Sequence, residues 1–225
     1  MPRLTCVCLL AFALCLSTHL AAQDTQQEEG FRPLFNGKDL EGWKVSGGKE
    51  EKWAAEGGAI CCLGGGGGWL LTTQEYDNYD LRLEYKMSKG GNSGVALRTP
   101  PKGNPAYAGM EIQLIDDENW PGLQTWQHTG SIYEIVPAAK QANKPIGEWN
   151  QMRIVAKGTR ITIELNGETL VDADLTDYKD RVEGDKEKGK QPHPGLARTK
   201  GHLGFQSYNT RIEFRNVRLK ELTGN

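Results

Sequence analysis

The chain has 225 residues with 27 basic and 29 acidic side chains, which gives a net charge of −2 at neutral pH. This balance predicts no basic surface for nucleic acid or an anionic membrane, and both are excluded as expected partners. Behind an apolar N-terminal segment, about 200 residues remain, enough for one domain with a sizeable core.

The N-terminus has the three parts of a secretory signal peptide. A short positive start precedes an apolar run over residues 4–16, and the small residues Ala21 and Ala22 stand before a polar stretch. The apolar run is shorter than the roughly 20 residues that span a membrane. We therefore expect residues 1–22 to be a signal peptide, cleaved near Ala22, with a flexible segment over residues 23–30. The mature protein is then secreted or periplasmic, without membrane insertion.

Two of the five cysteines lie outside the expected signal peptide, and they are the neighbours Cys61 and Cys62. Adjacent cysteines bridge only with strain, and without a C-x-x-C partner pair they do not make a zinc site. We expect both to be ordinary strand residues. A lipoprotein is the alternative form of export and would need Cys15 as its anchor, although Leu14 is bulkier than such sites usually tolerate.

The body of the chain alternates apolar and polar residues with a period of two, as in Tyr79–Met87, which is typical of half-buried strands. Further strands are predicted at Ser93–Arg98, Met110–Ile115, Ser131–Val136, Asn150–Ala156, Arg160–Leu165, Leu203–Ser207 and Arg211–Leu219. Asn166 and Gly167 form a strong type I′ hairpin signal. Many short strands with glycine-rich turns predict an all-β fold of two antiparallel sheets, a β-sandwich or jelly roll.

Two stretches do not fit a strand. The glycine run at residues 64–68 lacks the Lys-Ser/Thr of a phosphate-binding loop and opens no helix, so we interpret it as a flexible hairpin connection. Residues 176–200 are charged and too long for a routine connection. They are either a solvated insertion, which we favour, or a mobile flap near the site. One sandwich domain is expected over residues 31–222, with 176–200 as its insertion.

Uncommon polar groups recur inside the predicted strands. Glu111 and Gln113 share one face of their strand, because side chains two residues apart point the same way. Polar or aromatic groups in other strands are Arg98, Trp149, Gln206 and Tyr208. Amides, a carboxylate and aromatic rings are the groups that bind sugar hydroxyls and stack on sugar faces. The pattern is typical of a solvated outer face, and its recurrence on several strands makes a sugar-sized site an equal alternative.

A conventional glycosidase needs two carboxylates at a defined separation. The residue two places after Glu111 is Gln113, and Asp116 has the wrong parity to share the face of Glu111. A two-carboxylate glycosidase is therefore disfavoured. His128 is the best placed histidine, because it follows the Glu111 strand through one loop. No metal pair of the His-x-His kind occurs, so we predict no metal ligands and no cofactor, and leave a divalent metal open.

At this point the residues resemble a known family, the 3-keto-disaccharide hydrolases. The opening segment Phe31–Trp43 resembles the family's LFNGKDL-GW motif. The match continues in the family's order through Trp69–Tyr76, Gly91–Val95, Glu111–Asp116, Thr129–Tyr133, Gly147–Asn150, Leu165–Gly167 and Phe214–Arg218. The resemblance covers about residues 31–222. It implies a concanavalin A-like lectin/glucanase sandwich and hydrolase activity towards disaccharides oxidised at C3.

A C3 ketone explains how an enzyme of this family works without a carboxylate pair. The ketone acidifies the proton on C2, so one general base can start elimination of the C1 leaving group, and water then adds. Carried onto this sequence, Glu111 is the leading base, with Asp116 and His128 as the next candidates. Arg98 and Gln113 are candidates for oxyanion or hydroxyl contacts.

The remaining expected substrate contacts are Asn92, Tyr133, Trp149, Gln206 and Tyr208. Tyr208 stands where family members often have a histidine, which puts the substrate or the activity in question. A non-catalytic carbohydrate-binding module is the alternative function, and a structural interaction domain is a third, because the same fold serves all of them.

Overall fold

The computed structural model describes residues 28–185 and 189–223. The expected signal peptide, residues 1–22, lies outside the described residues, as do residues 23–27. The strands are β1 Arg32–Pro33, β2 Trp43–Ser46, β3 Trp53–Glu56, β4 Ala59–Cys62, β5 Gly68–Tyr76, β6 Tyr79–Met87, β7 Asn92–Thr99, β8 Met110–Ile115, β9 Asn150–Lys157, β10 Arg160–Leu165, β11 Glu168–Asp174, β12 Gly201–Ser207 and β13 Ile212–Glu221. The helix α1 is Pro105–Ala108, and short 3-10 helices are Glu50–Lys52, Thr125–Gln127, Leu175–Arg181 and Pro194–Ala197.

The strands form two antiparallel sheets. The larger sheet has the order β11-β10-β9-β6-β13-β4-β3. The short strand β1 pairs with the C-terminal part of β13, beyond the part that pairs with β4. The smaller sheet has the order β2-β5-β12-β7-β8. Because β12 and β13 are joined by a short turn and lie in different sheets, the chain crosses between the layers there. The expected all-β sandwich is therefore confirmed.

The core lies between the two sheets, where alternate side chains of each strand meet. Phe205 of β12 stacks on Phe214 of β13 with ring centroids 3.9 Å apart, and Trp43 of β2 stacks on Phe205 at 5.4 Å. Both phenylalanines are at most 1% exposed. Full burial of such a ring is worth roughly 1.5–3 kcal/mol, so this contact between the layers fixes which face of each sheet is inside.

Most predicted strands and the hairpin are confirmed. Asn166 and Gly167 both have positive φ, 53° and 87°, as a type I′ turn requires. The prediction of a strand over residues 131–136 is wrong, because only Ile132 and Val136 make isolated bridges. The chain turns back at Glu134, and the apolar residues that suggested a strand pack into the core from this turn.

The two cysteines lie in a strand, and the glycine run connects two strands. Cys61 and Cys62 are buried residues of β4 with free thiols. The glycine run links β4 to β5, and its residue Gly67 passes so close to Ser207 that an added Cβ would lie 2.6 Å from the Ser207 hydroxyl. Close packing therefore requires glycine in this run, in addition to the requirement of the turn.

Residues 176–200 pack beside the smaller sheet, in the part of this segment that the structure describes. His193 and Leu196 are buried, and Gly195 touches the backbone of Gly109 at the start of β8. This part of the segment lies against the domain, while most of its other described residues are exposed. No helix among the described residues is long and apolar enough to cross a membrane.

Candidate active site on the smaller sheet

The outer face of the smaller sheet carries a set of polar residues, which we call the polar face: Asn92, Glu111, Gln113 and Gln206. The apolar neighbours of Glu111 and Gln113 in β8 belong to the main core, so these two side chains point outward. Gln113 lies opposite Gly94 of β7, and Gln206 of β12 lies opposite Trp69 of β5. The register therefore brings together the polar groups of three adjacent strands.

Glu111 is the most unusual group on this face. It is only 4% exposed, and its Oε1 atom is buried without a hydrogen-bond partner among the described residues. Its side chain leans over Gly94, where an added Cβ would lie 2.1 Å from Oε1. Burial raises the pKa of Glu111 to about 8, because the charged form is poorly solvated there. A carboxyl with this pKa can take up or release a proton near neutral pH.

Amides surround this carboxyl. The Gln113 side chain donates a hydrogen bond of 3.4 Å to Asn92 Oδ1, so the two amides orient each other. Gln206 is half-buried on the neighbouring strand. Amide groups can both donate to and accept from sugar hydroxyls, and a donor aimed at a developing oxyanion stabilises it. The expected contacts Asn92, Gln113 and Gln206 are therefore close together on one face.

Aromatic rings form a wall along the β8 side of the face. The backbone N–H of Tyr133 donates to the Glu111 carbonyl oxygen at 2.9 Å, which fixes Tyr133 beside the carboxyl. Its ring meets Trp126 edge-on at 5.2 Å and Tyr107 at 6.4 Å between centroids. Trp126 and Tyr107 were not among the sequence candidates.

A further titratable cluster lies behind Tyr107. The Tyr107 hydroxyl donates to Glu134 Oε1 at 3.3 Å, and His193 Nε2 lies 3.4 Å from Glu134 Oε2. Arg181 donates to the Glu134 carbonyl at 2.7 Å, and Glu134 has a positive φ of 60°. Burial lowers the pKa of His193, although its hydrogen bond with Glu134 opposes this. Burial, together with the nearby Glu134 charge, raises the pKa of Tyr107 to about 12, so Tyr107 stays a neutral phenol.

One signal in the sequence would have drawn attention to Tyr107. Asn104 followed by Pro105 is a helix start, and the Asn104 side chain does accept a hydrogen bond from the Ala106 N–H. This short helix α1 carries Tyr107 to the edge of the sheet. The pairing of Glu134 with His193 has no such signal, because 59 residues separate them in the chain.

Asp116 has a structural environment away from Glu111. Its carboxylate accepts hydrogen bonds from the Gly90 N–H at 2.7 Å and from the Asn119 side chain at 3.0 Å. Although burial alone would raise its pKa, these hydrogen bonds hold the pKa of Asp116 below its usual value. It follows Glu111 by five residues, which is roughly 17 Å of extended chain. Asp116 therefore joins loops at the end of the face.

His128 lies at the same end, paired with a different carboxylate. Its Nδ1 atom is 2.8 Å from Asp117 Oδ1, and Asp117 also accepts from the Thr129 N–H at 3.2 Å. A separate cavity of about 590 Å³ lies beside Asp117 and is lined in part by Tyr85 and Asn143. The structure thus separates the three candidate proton-transfer residues into two locations.

Two expected substrate contacts lie elsewhere. Arg98 is 1% exposed, and its guanidinium donates to the carbonyl oxygens of Gly158 and Arg198, which ties distant loops together. Trp149 lies on the outer face of the larger sheet, with the Arg215 guanidinium 3.9 Å from its ring centroid. Tyr208 follows β12 at the end of the polar face and is 54% exposed.

Metal ligands are not grouped in the part of the chain that the structure describes. Among residues 28–185 and 189–223, no group of three or more His, Cys, Asp or Glu side chains could hold a metal ion.

A β-sandwich whose outer face carries amides, a buried carboxyl and aromatic rings has the groups that a sugar-binding site needs. A family model described as the 3-keto-alpha-glucoside-1,2-lyase-like domain matches residues 30–220. A 3-keto-disaccharide hydrolase of Bacteroides thetaiotaomicron is 32% identical, and the match covers 86% of this chain and 79% of that protein. The chain belongs to this family, and it is an enzyme of the glycosidic-bond hydrolase class.

Solved structures agree on the fold. A protein of Parabacteroides distasonis proposed to be a glycosyl hydrolase is 32% identical with a TM-score of 0.74, covering 86% of this chain and 94% of its own. A second such protein from the same organism is 29% identical, also with a TM-score of 0.74, over 85% and 99% of the two chains. A Bacillus subtilis protein with a galectin-like fold has a TM-score of 0.57 at 11% identity, over 87% and 96%, and it shows the fold alone.

Proposed function

We propose that the protein is an exported enzyme that cleaves 3-keto-disaccharides and related 3-keto-glycosides, with Glu111 as the general base. The carrying observation is that Glu111 is buried and unpaired, with a pKa of about 8. Substrate class is supported by the family and by the 3-keto-disaccharide hydrolase that is similar over most of the chain.

The proposed reaction starts with the Glu111 carboxylate taking the proton from C2 of the keto sugar. The C2–H electron pair forms an enolate with the C3 ketone, whose oxygen would accept a hydrogen bond from the Gln113 amide. The enolate then re-forms the ketone and expels the C1 oxygen, which gives a C1=C2 double bond and an alkoxide that takes up the proton held by Glu111. Addition of water at C1 and return of a proton to C2 complete a net hydrolysis.

One carboxyl suffices for this sequence of steps, which is why the isolation of Glu111 supports it. Ordinary glycoside hydrolysis uses two carboxylates about 5–10 Å apart. On the described part of the face, the side chains flanking Glu111 are Gln113, Tyr133 and Ala96, and none is acidic. The ketone acidifies the C2 proton, so cleavage can start with one general base and needs no carboxylate nucleophile at C1.

The test is incubation with 3-keto-trehalose in D₂O, followed by mass spectrometry and NMR of the released keto sugar. We expect release of 3-keto-glucose with deuterium at C2, because the hydrogen added there comes from the solvent water. Glu111→Gln should reduce kcat/KM by about 10²-fold or more, the usual scale for loss of a general base. The matched control is Glu84→Gln on the larger sheet, which should stay within about twofold of the wild type.

Three results would contradict the proposal. Product without deuterium at C2 means direct hydrolysis, and a normal rate in Glu111→Gln means that the base is another residue, with His128 and Asp116 next. No turnover of any 3-keto-glycoside, together with binding of unoxidised glycans, favours a carbohydrate-binding module.

Export is the second part of the proposal, and the pattern of residues 1–22 supports it. N-terminal sequencing of the protein recovered from outside the cytoplasm should begin near Gln23. A lipid-modified N-terminal Cys15, detected by mass spectrometry, would show the lipoprotein alternative instead. A mature protein that begins at Met1 and stays in the cytoplasm would contradict export.

A further inference from the structure

Trp120 and Tyr208 form an aromatic pair at the end of the polar face, outside the group around Glu111. Their ring centroids are 6.4 Å apart and the rings are inclined at 54°. Tyr208 is 54% exposed, and it is the most exposed of the three exposed large hydrophobic side chains in the described residues. An exposed aromatic ring that has one neighbour and one open face is a surface on which a ligand can stack.

The loops that carry the two rings are tied to each other and to the sheet. The Trp120 indole N–H donates to the Gly90 carbonyl oxygen at 3.1 Å, and the Asn209 side chain donates to the same oxygen at 2.8 Å. Asn209 Oδ1 also accepts from the Asn92 N–H at 3.0 Å. These bonds hold the rings in position before any ligand arrives, which lowers the entropic cost of binding.

The register gives the distance between the pair and the reacting carboxyl. The β12–β7 register pairs Phe205 with Val95, and its continuation sets Tyr208 opposite Asn92. The Glu111 carboxyl leans over Gly94, two residues along β7 from Asn92. Two residues of strand and one strand spacing give roughly 8 Å between the two positions. One sugar ring bridges such a gap, with the amides of the polar face beneath it.

We propose that Trp120 and Tyr208 form the binding subsite for the sugar that leaves from C1, so that the enzyme selects disaccharides over glycosides with a small leaving group. The inference rests on the proposed function. The C2 proton of the keto sugar must lie at Glu111, and the bond to be broken is on the adjacent carbon. The leaving sugar then extends along the sheet towards the aromatic pair, which lies at the Asn92 end of the polar face.

The position of Tyr208 gives this subsite a specific chemistry. Tyr208 offers an exposed ring face for stacking and a hydroxyl that can donate or accept a hydrogen bond. A sugar with an apolar face against the ring and hydroxyl groups towards Asn92 and Gln206 satisfies both parts of the surface. The subsite therefore favours a neutral pyranose leaving group.

The experiment compares two substrates, 3-keto-trehalose with a sugar leaving group and methyl 3-keto-α-glucoside with a small one. Trp120→Ala and Tyr208→Ala should each raise KM for 3-keto-trehalose about tenfold, the scale of one lost stacking contact. KM for the methyl glycoside should stay within about twofold. Tyr208→Phe keeps the ring and should restore most of the affinity for 3-keto-trehalose. Thermal unfolding of each variant checks that the sandwich is intact.

Equal effects on the two substrates, or no effect on either, would overturn the subsite. The dissociation constant of unoxidised trehalose, compared with glucose by calorimetry, gives a readout that does not depend on turnover. We expect Tyr208→Ala to weaken trehalose more than glucose. If the wild type turns over neither keto substrate, the proposed function fails, and the calorimetry still decides whether Trp120 and Tyr208 bind a second sugar.

Discussion

The outer faces of the two sheets carry similar residue types in different electrostatic environments. On the larger sheet, Asp80 is held by Arg82 at 3.1 Å and by Arg153 at 3.0 Å, and Glu84 is held by Arg215 at 2.8 Å. Although burial alone would raise it, the hydrogen bonds from the two arginines hold the pKa of Asp80 below its usual value. Each carboxylate considered on this face has a cationic partner.

The polar face of the smaller sheet lacks such pairing around its carboxyl. Glu111 is more buried than Glu84, yet its Oε1 atom has no partner in the described chain. A buried carboxyl without a counter-charge is costly when ionised, so its pKa rises. Such a residue lowers stability, and proteins retain groups of this kind mainly at functional sites.

The difference between the two faces teaches how to distinguish a solvated surface from a site in this fold. Both faces alternate polar and apolar residues along their strands, and both have aromatic rings. Burial and the pairing of each carboxyl separate them, and both depend on which strands are neighbours. Variants on one face can therefore be compared with variants on the other.

The largest expected effect is on stability. The pKa of Glu111 is near 4.5 in the unfolded chain and about 8 in the folded protein. Because the folded state holds this proton more tightly, Glu111 adds to the free energy of unfolding below pH 4.5, and this stabilisation is lost as the pH rises from 4.5 to 8. Glu111→Gln does not ionise. Relative to the wild type, the variant should gain roughly 3–5 kcal/mol in the free energy of unfolding between pH 4 and pH 8. Urea denaturation at both pH values measures this gain, and the pH-independent cost of burying the amide cancels in the difference.

Asp116→Asn is the matched control for that measurement, with the opposite sign. Because hydrogen bonds lower the pKa of Asp116, its contribution is present above its unfolded pKa and is lost as the pH falls through the folded value. The asparagine variant should therefore lose stability relative to the wild type at pH 7 and less so in acid. Equal pH dependence of wild type and Glu111→Gln would mean that Glu111 ionises as readily in the folded protein as in the unfolded one, and its burial would then not raise its pKa.

The second prediction concerns the glycine under the carboxyl. In Gly94→Ala the new Cβ would lie 2.1 Å from Glu111 Oε1 and 2.7 Å from its Cδ, so the side chain must move. Displacement of a reacting group by about 1 Å can cost about 10²-fold in rate, and we expect a loss of that order in kcat/KM for 3-keto-trehalose.

A double variant separates this local effect from a general loss of structure. If Gly94 acts through Glu111, adding Gly94→Ala to Glu111→Gln should reduce kcat/KM by no more than about twofold further. Multiplying losses would instead show that the two positions act independently. Such a result would remove the argument that the glycine exists to accommodate the carboxyl.

The sequence predicts the sandwich, most strand bounds and the outward parity of Glu111 with Gln113, because these follow from local alternation of residues. The direction of the Arg98 side chain could not be predicted from the local sequence pattern. Its strand residue has a positive φ of 50°, and the side chain turns away from the polar face to bind Gly158. Trp149 directly precedes β9, and the sheet to which that strand belongs depends on long-range pairing.

The cluster around Glu134 could not be predicted from the local sequence either. Residues 176–200 are predicted to be a charged insertion, yet His193 packs on the Tyr107 ring at 4.9 Å between centroids. Nothing in the composition of that segment indicates which side chain becomes buried. The site is therefore predictable in its central strand and unpredictable in the groups that loops bring to it.

The smallest expected effect is on the larger sheet. Trp149 interacts with Arg215 at 3.9 Å and with Lys86 at 4.9 Å, both measured to the ring centroid, so Trp149→Ala removes cation–π contacts at a half-exposed position. We expect a loss of about 1–2 kcal/mol in the free energy of unfolding, since such contacts contribute about 0.5–1 kcal/mol each. The kcat and KM for 3-keto-trehalose should stay within about twofold of the wild type. If KM rises tenfold while the urea midpoint is unchanged, substrate reaches the larger sheet, and the assignment of catalysis to the polar face alone is wrong.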